Sequence, residues 1–316
     1  MSAPGALSRA EFATGLLVRS IKVDGEYLLV ENCSLHQNQD IQTSEQFIQG
    51  GPGQSISLIN EKKISGQISF PLRINKNGVL EAAAKKILQR AENPIETLII
   101  QTNHAFSHYN LTADSHPTDN NELITISTAV ISSLTISCSS DSEVTISAEF
   151  EGMLDARTIE EFVLPDQLDI LGRSLSWGDC NIYRSESSLR NVNSIEITIT
   201  NKLETPVFLI PYNENPDLSI RNDSIHHVGV SSTKWTGKYT ELLRKGAEVY
   251  THIHGGWIVQ DNLTVEIDNL KIEFVTPLYK VAQLPLTSKV FTRTTEWTAL
   301  TRPAASLTTG GLFTFS

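Results

Sequence analysis

The chain has 316 residues, a formal net charge of −11 and an isoelectric point near 5.2, with 40% hydrophobic and 19% charged residues. This composition excludes wholesale disorder, and the acidic balance argues against a binder of free nucleic acid, which needs clustered Lys and Arg against phosphate. Three cysteines, Cys33, Cys138 and Cys180, are too few and too irregularly spaced for a disulfide framework or a zinc site, so synthesis in a reducing cytoplasm is expected.

The N-terminus lacks a basic start followed by an apolar run, and no apolar stretch approaches bilayer length, so neither a signal peptide nor membrane insertion is expected. "NCSLHQNQDI" (32–41) reads as an opening strand, and "QGGPGQS" (49–55) as a polar loop without the Lys-Ser/Thr ending of a phosphate loop. "KISGQISFPLR" (63–73) follows as a second strand. "NGVLEAAAKKILQRAENP" (77–94) then breaks the strand pattern. Its Leu80, Ala83, Ala84, Ile87, Leu88 and Ala91 fall on one face at helical spacing, with Asn77 as the expected cap and Pro94 just past the end. One amphipathic helix lying on a sheet is predicted.

"HAFSHYNLTADSHPTDNN" (104–121) reads as a strand end and a long exposed loop. In "ELITISTAVISSLTIS" (122–137) and "SEVTISAEFEG" (142–152) apolar residues recur at every second position, the pattern of half-buried antiparallel strands. The polar "CSSDSE" (138–143) between them completes a hairpin. Alternation lapses over 154–169, where Pro165 marks a domain boundary. Strands resume in 193–213 and 262–279, with Asp268-Asn269 as a turn. The small residues of 301–316 suggest an arm that packs on something else.

The segment "KWTGKYTELLR" (234–244) repeats 63–73 at an offset of 171 residues: Lys63, Gly66, Leu72 and Arg73 return as Lys234, Gly237, Leu243 and Arg244. Upstream of each copy stands a Ser-Leu motif, in 32–41 and in "GRSLSWGDCNI" (172–182). The reading is one strand-rich domain present twice: 1–160, 161–300 and a C-terminal arm over 301–316. The rival reading is chance likeness between two amphipathic strands.

Chemistry is sparse. His252 and His254 share a face if their segment is a strand, with His226 and His227 upstream, but no nearby Asp, Glu or Cys completes a metal set. There is no G-x-S-x-G and no thiol-enzyme signature. Trp177, Trp235, Trp257 and Trp297 all fall in the second half, where core or interface packing is the better account than a sugar platform. No catalytic, cofactor or metal residue is assigned, and no enzyme is expected.

The opening strands (34–41 and 174–182), the Gly-centred strands around Gly66 and Gly237, the closing hairpin (130–152) and the placement of the helix together resemble bacteriophage tail tube proteins. A typical tube subunit is a single domain, and the second half here has no equally clear helix. The resemblance implies a mainly β protein with two tandem sandwich or half-barrel domains, whose inner sheets join neighbours around a channel. It further implies trimeric, pseudo-hexameric or hexameric rings stacked in a virion tail. DNA would pass without specific binding, and a sheath and baseplate are candidate partners. Alternatives are a baseplate, hub or terminator ring of the same tail, a carbohydrate-binding sandwich, or a hydrolase using His252 and His254.

Overall fold

The computed structural model describes residues 17–28, 30–46, 54–103, 121–160, 172–184, 187–204, 229–244, 257–259, 262–274, 277–281, 290–300 and 311–315. Over these residues the protein is mainly β. The first part of the chain supplies β1 (Leu17–Val23), β2 (Glu26–Leu28), β3 (Asn32–Gln46), β4 (Gln54–Pro71), helix α1 (Ala82–Gln89), β5 (Ile95–Asn103), β6 (Asn121–Ser139) and β7 (Thr145–Glu160). The second part supplies β8 (Cys180–Arg184), β9 (Ser187–Ser188), β10 (Val192–Glu204), β11 (Gly229–Arg244) and β12 (Trp257–Val259). It ends with β13 (Leu263–Ile267), β14 (Leu270–Phe274), β15 (Leu278–Val281), β16 (Val290–Leu300) and β17 (Gly311–Phe315).

Two antiparallel sheets result. The larger contains β1–β7, β10–β12, β15 and β16, and so draws strands from both sides of residue 160; the smaller runs β17-β14-β13-β8-β9. The last residues of the expected arm are therefore a strand, β17, paired with β14.

Two runs of four strands follow one another in the larger sheet. Along the larger sheet β3-β4-β7-β6 is followed by β10-β11-β16-β15, with all neighbours antiparallel. Gly66 in β4 lies between Leu35 of β3 and Phe150 of β7, and Gly237 in β11 lies between Ile197 of β10 and Trp297 of β16. Gly237 makes room for the ring beside it, and Gly66 makes room for both the Ser34 carbonyl, 2.5 Å from an added Cβ, and a ring. A Cβ at Gly66 would stand 2.6 Å from Phe150 Cζ, and one at Gly237 would stand 2.6 Å from Trp297 Cε2. Gly66→Ala and Gly237→Ala are each expected to cost about 1–3 kcal/mol through overpacking, measured as a lower urea midpoint.

These rows also correct the sequence alignment of the Ser-Leu motifs. The partner of Leu35 in the repeat is Ile197, not Leu175. The residues around Leu175 form a separate bridging segment: Leu175 donates its N–H to Leu72 O at 2.8 Å and accepts the Val144 N–H at 2.8 Å. Two amphipathic segments carry the same dipeptide, but only the pairing register reveals which strand stands beside the glycine.

Helix α1 is shorter than predicted and begins later. Asn75 Oδ1 accepts the N–H groups of Asn77 and Val79 at 2.9 and 3.0 Å, and Gly78 takes φ +76°. A left-handed residue cannot continue a helix. Asn77 thus belongs to a turn, and Glu81 precedes the first helical residue without a side-chain cap. The predicted apolar face holds: Leu80, Ala83, Ala84, Ile87, Leu88 and Ala91 are all buried. The hairpin is also as read, with Ser137 opposite Thr145, and Asp268-Asn269 turns β13 into β14.

One hydrophobic cluster runs through both parts of the chain. Trp235 and Trp297 of the larger sheet meet Phe274 of the smaller edge-on, at centroid distances of 5.8 and 5.6 Å, so the sheets pack face to face. Helix α1 lies beside β1 and β2. Its Lys85 reaches the Phe315 ring at 5.1 Å, and Glu92 beyond it accepts the Trp235 indole N–H at 2.7 Å.

Where the chain passes from β7 to β8, Arg173 grips Asp179 through two 2.8 Å hydrogen bonds, and the Ser176 N–H adds a third at 2.9 Å. These donors, the guanidinium first, hold the Asp179 carboxyl down at about 2. A depressed folded pKa contributes stability above the unfolded value of about 3.9, and that stability is lost as pH falls through the folded value. The melting-temperature gap between wild type and Asp179→Asn is therefore expected to narrow between about pH 4 and pH 2.

Candidate assembly surface

The two parts of the chain meet at a backbone seam in the larger sheet. Residues 133–139 of β6 pair with 194–200 of β10, from Ser133↔Thr200 through Ile136↔Ile197 to Ser139↔Ser194. On the core face Leu134, Ile136 and Cys138 meet Ile199, Ile197 and Ile195, all buried. On the opposite face Thr135 Oγ1 and Thr198 Oγ1 are 3.3 Å apart. One row further into the second unit Lys238 pairs with Glu196 at 2.9 Å. Period-two alternation produces both faces at once: Ile and Leu turn inward, Ser and Thr outward.

The outward face of the larger sheet is paved with hydroxyls. Ser65 and Ser69 of β4, Ser147 of β7, Ser133 and Ser137 of β6, Thr236 and Thr240 of β11, and Thr294 and Thr298 of β16 alternate with buried neighbours. The charges on it are mixed in sign: Glu149, Glu196 and Glu296 stand with Lys234 and Lys238. Among the described residues only Val79 and Leu242 expose large apolar side chains, so this face is not an apolar docking patch.

The edges differ from the face. Among the described strands β3, 15 residues long, pairs with β4 alone, so no described strand covers its other side. A long open edge is a template for another strand. Because Leu35 takes the place of Ile197, residues 32–38 of β3 correspond to the stretch 194–200 that β6 covers inside the chain. At the other end of the sheet, β12 covers β15 along three residue pairs, Trp257↔Lys280 to Val259↔Leu278.

The sequence-predicted candidates divide clearly. His226, His227, His252 and His254 lie outside the described residues, as do most of 104–121 and 49–55. Trp235 and Trp297 are core residues and offer no platform to a sugar, and Trp177 packs partly against the core. Among the described residues no three His, Cys, Asp or Glu side chains come together as a metal site, and no helix is long and apolar enough to cross a membrane. The seam itself had no signature in the sequence, because strand adjacency is written in backbone pairing. The class the fold defines is a mainly β protein built on two antiparallel sheets. No family model matches this sequence, and no curated protein does.

Proposed function

We propose that the chain is a structural subunit of a bacteriophage tail tube, joining copies edge to edge into rings that stack as a conduit for DNA. The observation that carries this reading is the seam: the unit β3-β4-β7-β6 is continued, in one sheet, by β10-β11-β16-β15. What β6 does for β10 within the chain, the end of the sheet that carries β15 and its cover β12 in one copy would do for β3 of the next. Repetition of a head-to-tail contact gives a ring when the rotation closes.

Strand number argues for several copies. Eight strands, the two units of one chain, would close on a filled interior, whereas 16–18 leave an aqueous channel. Three copies would supply about 24 strands; at about 4.8 Å spacing and about 40° tilt the wall is about 48 Å across between backbones. That admits a nucleic-acid duplex. The hydroxyl-paved face, with charges of both signs, suits a wall that DNA must pass without being gripped. The assembled particle would be a virion tail, with ring, sheath or baseplate proteins as neighbours and no part for this chain in catalysis.

Negative-stain electron microscopy across a concentration series tests the reading. Rings or hollow stacks are expected, and rotational averages distinguish three copies from six. The double variant Ser34→Lys, His36→Lys adds charge at two exposed β3 positions, and edge lysines block strand addition. It is expected to keep the far-UV circular dichroism of the wild type and to form no rings. A wild type that stays monomeric at every concentration overturns the proposal.

A further inference from the structure

The dipeptide Asn-Gly occurs once in the 316 residues, at Asn77-Gly78, in the turn that leads from β4 toward α1. An asparagine followed by glycine carries the most labile amide of a polypeptide, because no side chain on the next residue shields its backbone nitrogen from the asparagine carbonyl. Here the pair is also presented to water. Asn77 is exposed, Val79 beyond it is 49% exposed, and a Cβ built on Gly78 would meet nothing within 4 Å. Asn77 is held through its backbone N–H and not, among the described residues, through its side-chain amide.

What restrains the pair is Asn75. Its Oδ1 accepts the Asn77 and Val79 N–H groups at 2.9 and 3.0 Å, and its own N–H donates to Val79 O at 2.7 Å. Its carbonyl accepts the Gly78 N–H at 2.9 Å, which occupies the proton whose loss makes that nitrogen a nucleophile. The same turn touches the smaller sheet: Asn269, in the turn between β13 and β14, donates through Nδ2 to Gly78 O. We propose that Asn77 is a site of spontaneous deamidation, that opening of the Asn75 turn sets its rate, and that the isoaspartate product releases the contact with Asn269.

The chemistry needs only water. In the opened turn the Gly78 amide gives its proton to hydroxide, and its nitrogen attacks Asn77 Cγ. The Cγ–Nδ2 bond breaks and ammonia leaves with a proton from water, closing a cyclic imide across the two residues. Water then adds to one of the two imide carbonyls. Cleavage at Cγ gives aspartate, and cleavage at the Asn77 backbone carbonyl leaves the chain running through Cβ, as isoaspartate. One asparagine and one water thus give one acid and one ammonia, and nothing is oxidised or reduced. The isoaspartate route lengthens the backbone by a methylene immediately before Gly78, so Gly78 O cannot stay opposite Asn269 while the turn keeps its bonds to Asn75. This inference concerns one turn of a single chain and does not rest on the ring reading.

The test incubates the full-length protein, native and in urea, at mildly acid and at alkaline pH, and follows residue 77 by peptide mapping with enzymatic methylation of isoaspartate as the label. Isoaspartate and aspartate are expected at Asn77 in the native protein, sooner at alkaline pH and sooner again in urea. Asn75→Ala removes two hydrogen bonds from the turn and should speed the native reaction about tenfold. Asn75→Asp, whose carboxylate accepts the same two N–H groups, should stay within about twofold of the wild type. All three proteins should react alike in urea, so a difference seen only in the native state reads the turn. In converted wild type the amides around Asn269 should exchange with deuterium faster than in fresh protein. Where a variant folds poorly, the wild-type comparison of native with urea still decides. Equal rates in those two states, an Asn75→Ala variant no faster than wild type, or native protein in which Asn77 outlasts the other asparagines would each overturn the proposal. Unchanged exchange around Asn269 in protein carrying isoaspartate would overturn the release.

Discussion

Trp297→Ala is expected to lower the unfolding free energy by about 3–5 kcal/mol, the range for removing a large buried aromatic. Trp297 is 1% exposed and fills the space above Gly237, with Tyr239 at 5.8 Å and Phe274 edge-on at 5.6 Å between ring centroids. The hole left by alanine would have little chance to collapse. Its floor is a glycine with no side chain to move in, and its far wall is Phe274 on a strand paired on both sides, with β13 and β17. Trp297→Phe should cost much less, because the lost volume is smaller and the indole nitrogen has no hydrogen-bond partner among the described residues. Urea unfolding of the three proteins checks the order, and equal losses for Phe and Ala would sink this account of the site.

A double-mutant cycle sharpens the same prediction. If Gly237 is glycine only to admit the ring, then Gly237→Ala should be far less harmful once Trp297 is alanine. The coupling is expected at about 1–3 kcal/mol. Phe150 and Gly66 should couple in the same sense but less, since a Cβ at Gly66 would meet the Ser34 carbonyl oxygen at 2.5 Å as well as the Phe150 ring. Matching coupling at both rows would give the sequence repeat an energetic meaning. Coupling at one row alone would reduce the likeness of 63–73 and 234–244 to a coincidence of strand composition.

Much of this architecture was legible in period and punctuation. The face of α1 could be read because six apolar residues at helical spacing leave little freedom about which side is buried. The β6–β7 hairpin and the Asp268-Asn269 turn were readable because polar residues interrupt strict alternation at short range. The two glycines singled out in the sequence each lie in the middle of a sheet, opposite an aromatic residue. What the residues withheld was adjacency. Ile195, Ile197 and Ile199 announce a buried face, but any strand with a matching face could lie beside them, and β6 does so from more than fifty positions away. Asn77 misled because capping propensity says nothing of the left-handed Gly78 that follows.

The end of the seam rests on a single amide, and its removal is expected to cost about 2–4 kcal/mol. Asn201 is 6% exposed. It donates through Nδ2 to Ala91 O at 2.5 Å and Ile131 O at 2.7 Å, while its Oδ1 accepts the Thr233 hydroxyl at 2.7 Å. One side chain thus ties the chain after α1, the bulged part of β6, and the β10–β11 pair. The Ile131 carbonyl sits where the β6–β7 register shifts, and Ala91 follows the last turn of the helix, so each needs a donor from outside its own element. Asn201→Ala leaves both carbonyls and a hydroxyl without this partner. Asn201→Asp keeps the shape but turns a donor into an acceptor facing two carbonyl oxygens, and should be worse at neutral pH. The sign with pH follows: a buried carboxyl that faces two carbonyl oxygens and accepts one hydroxyl has a raised folded pKa, so the variant's deficit should grow as pH rises above about 3.9. Urea midpoints at pH 4 and pH 7 read this directly. An alanine variant within about 0.5 kcal/mol of wild type would mean that helix, bulge and second unit are held together by apolar packing alone.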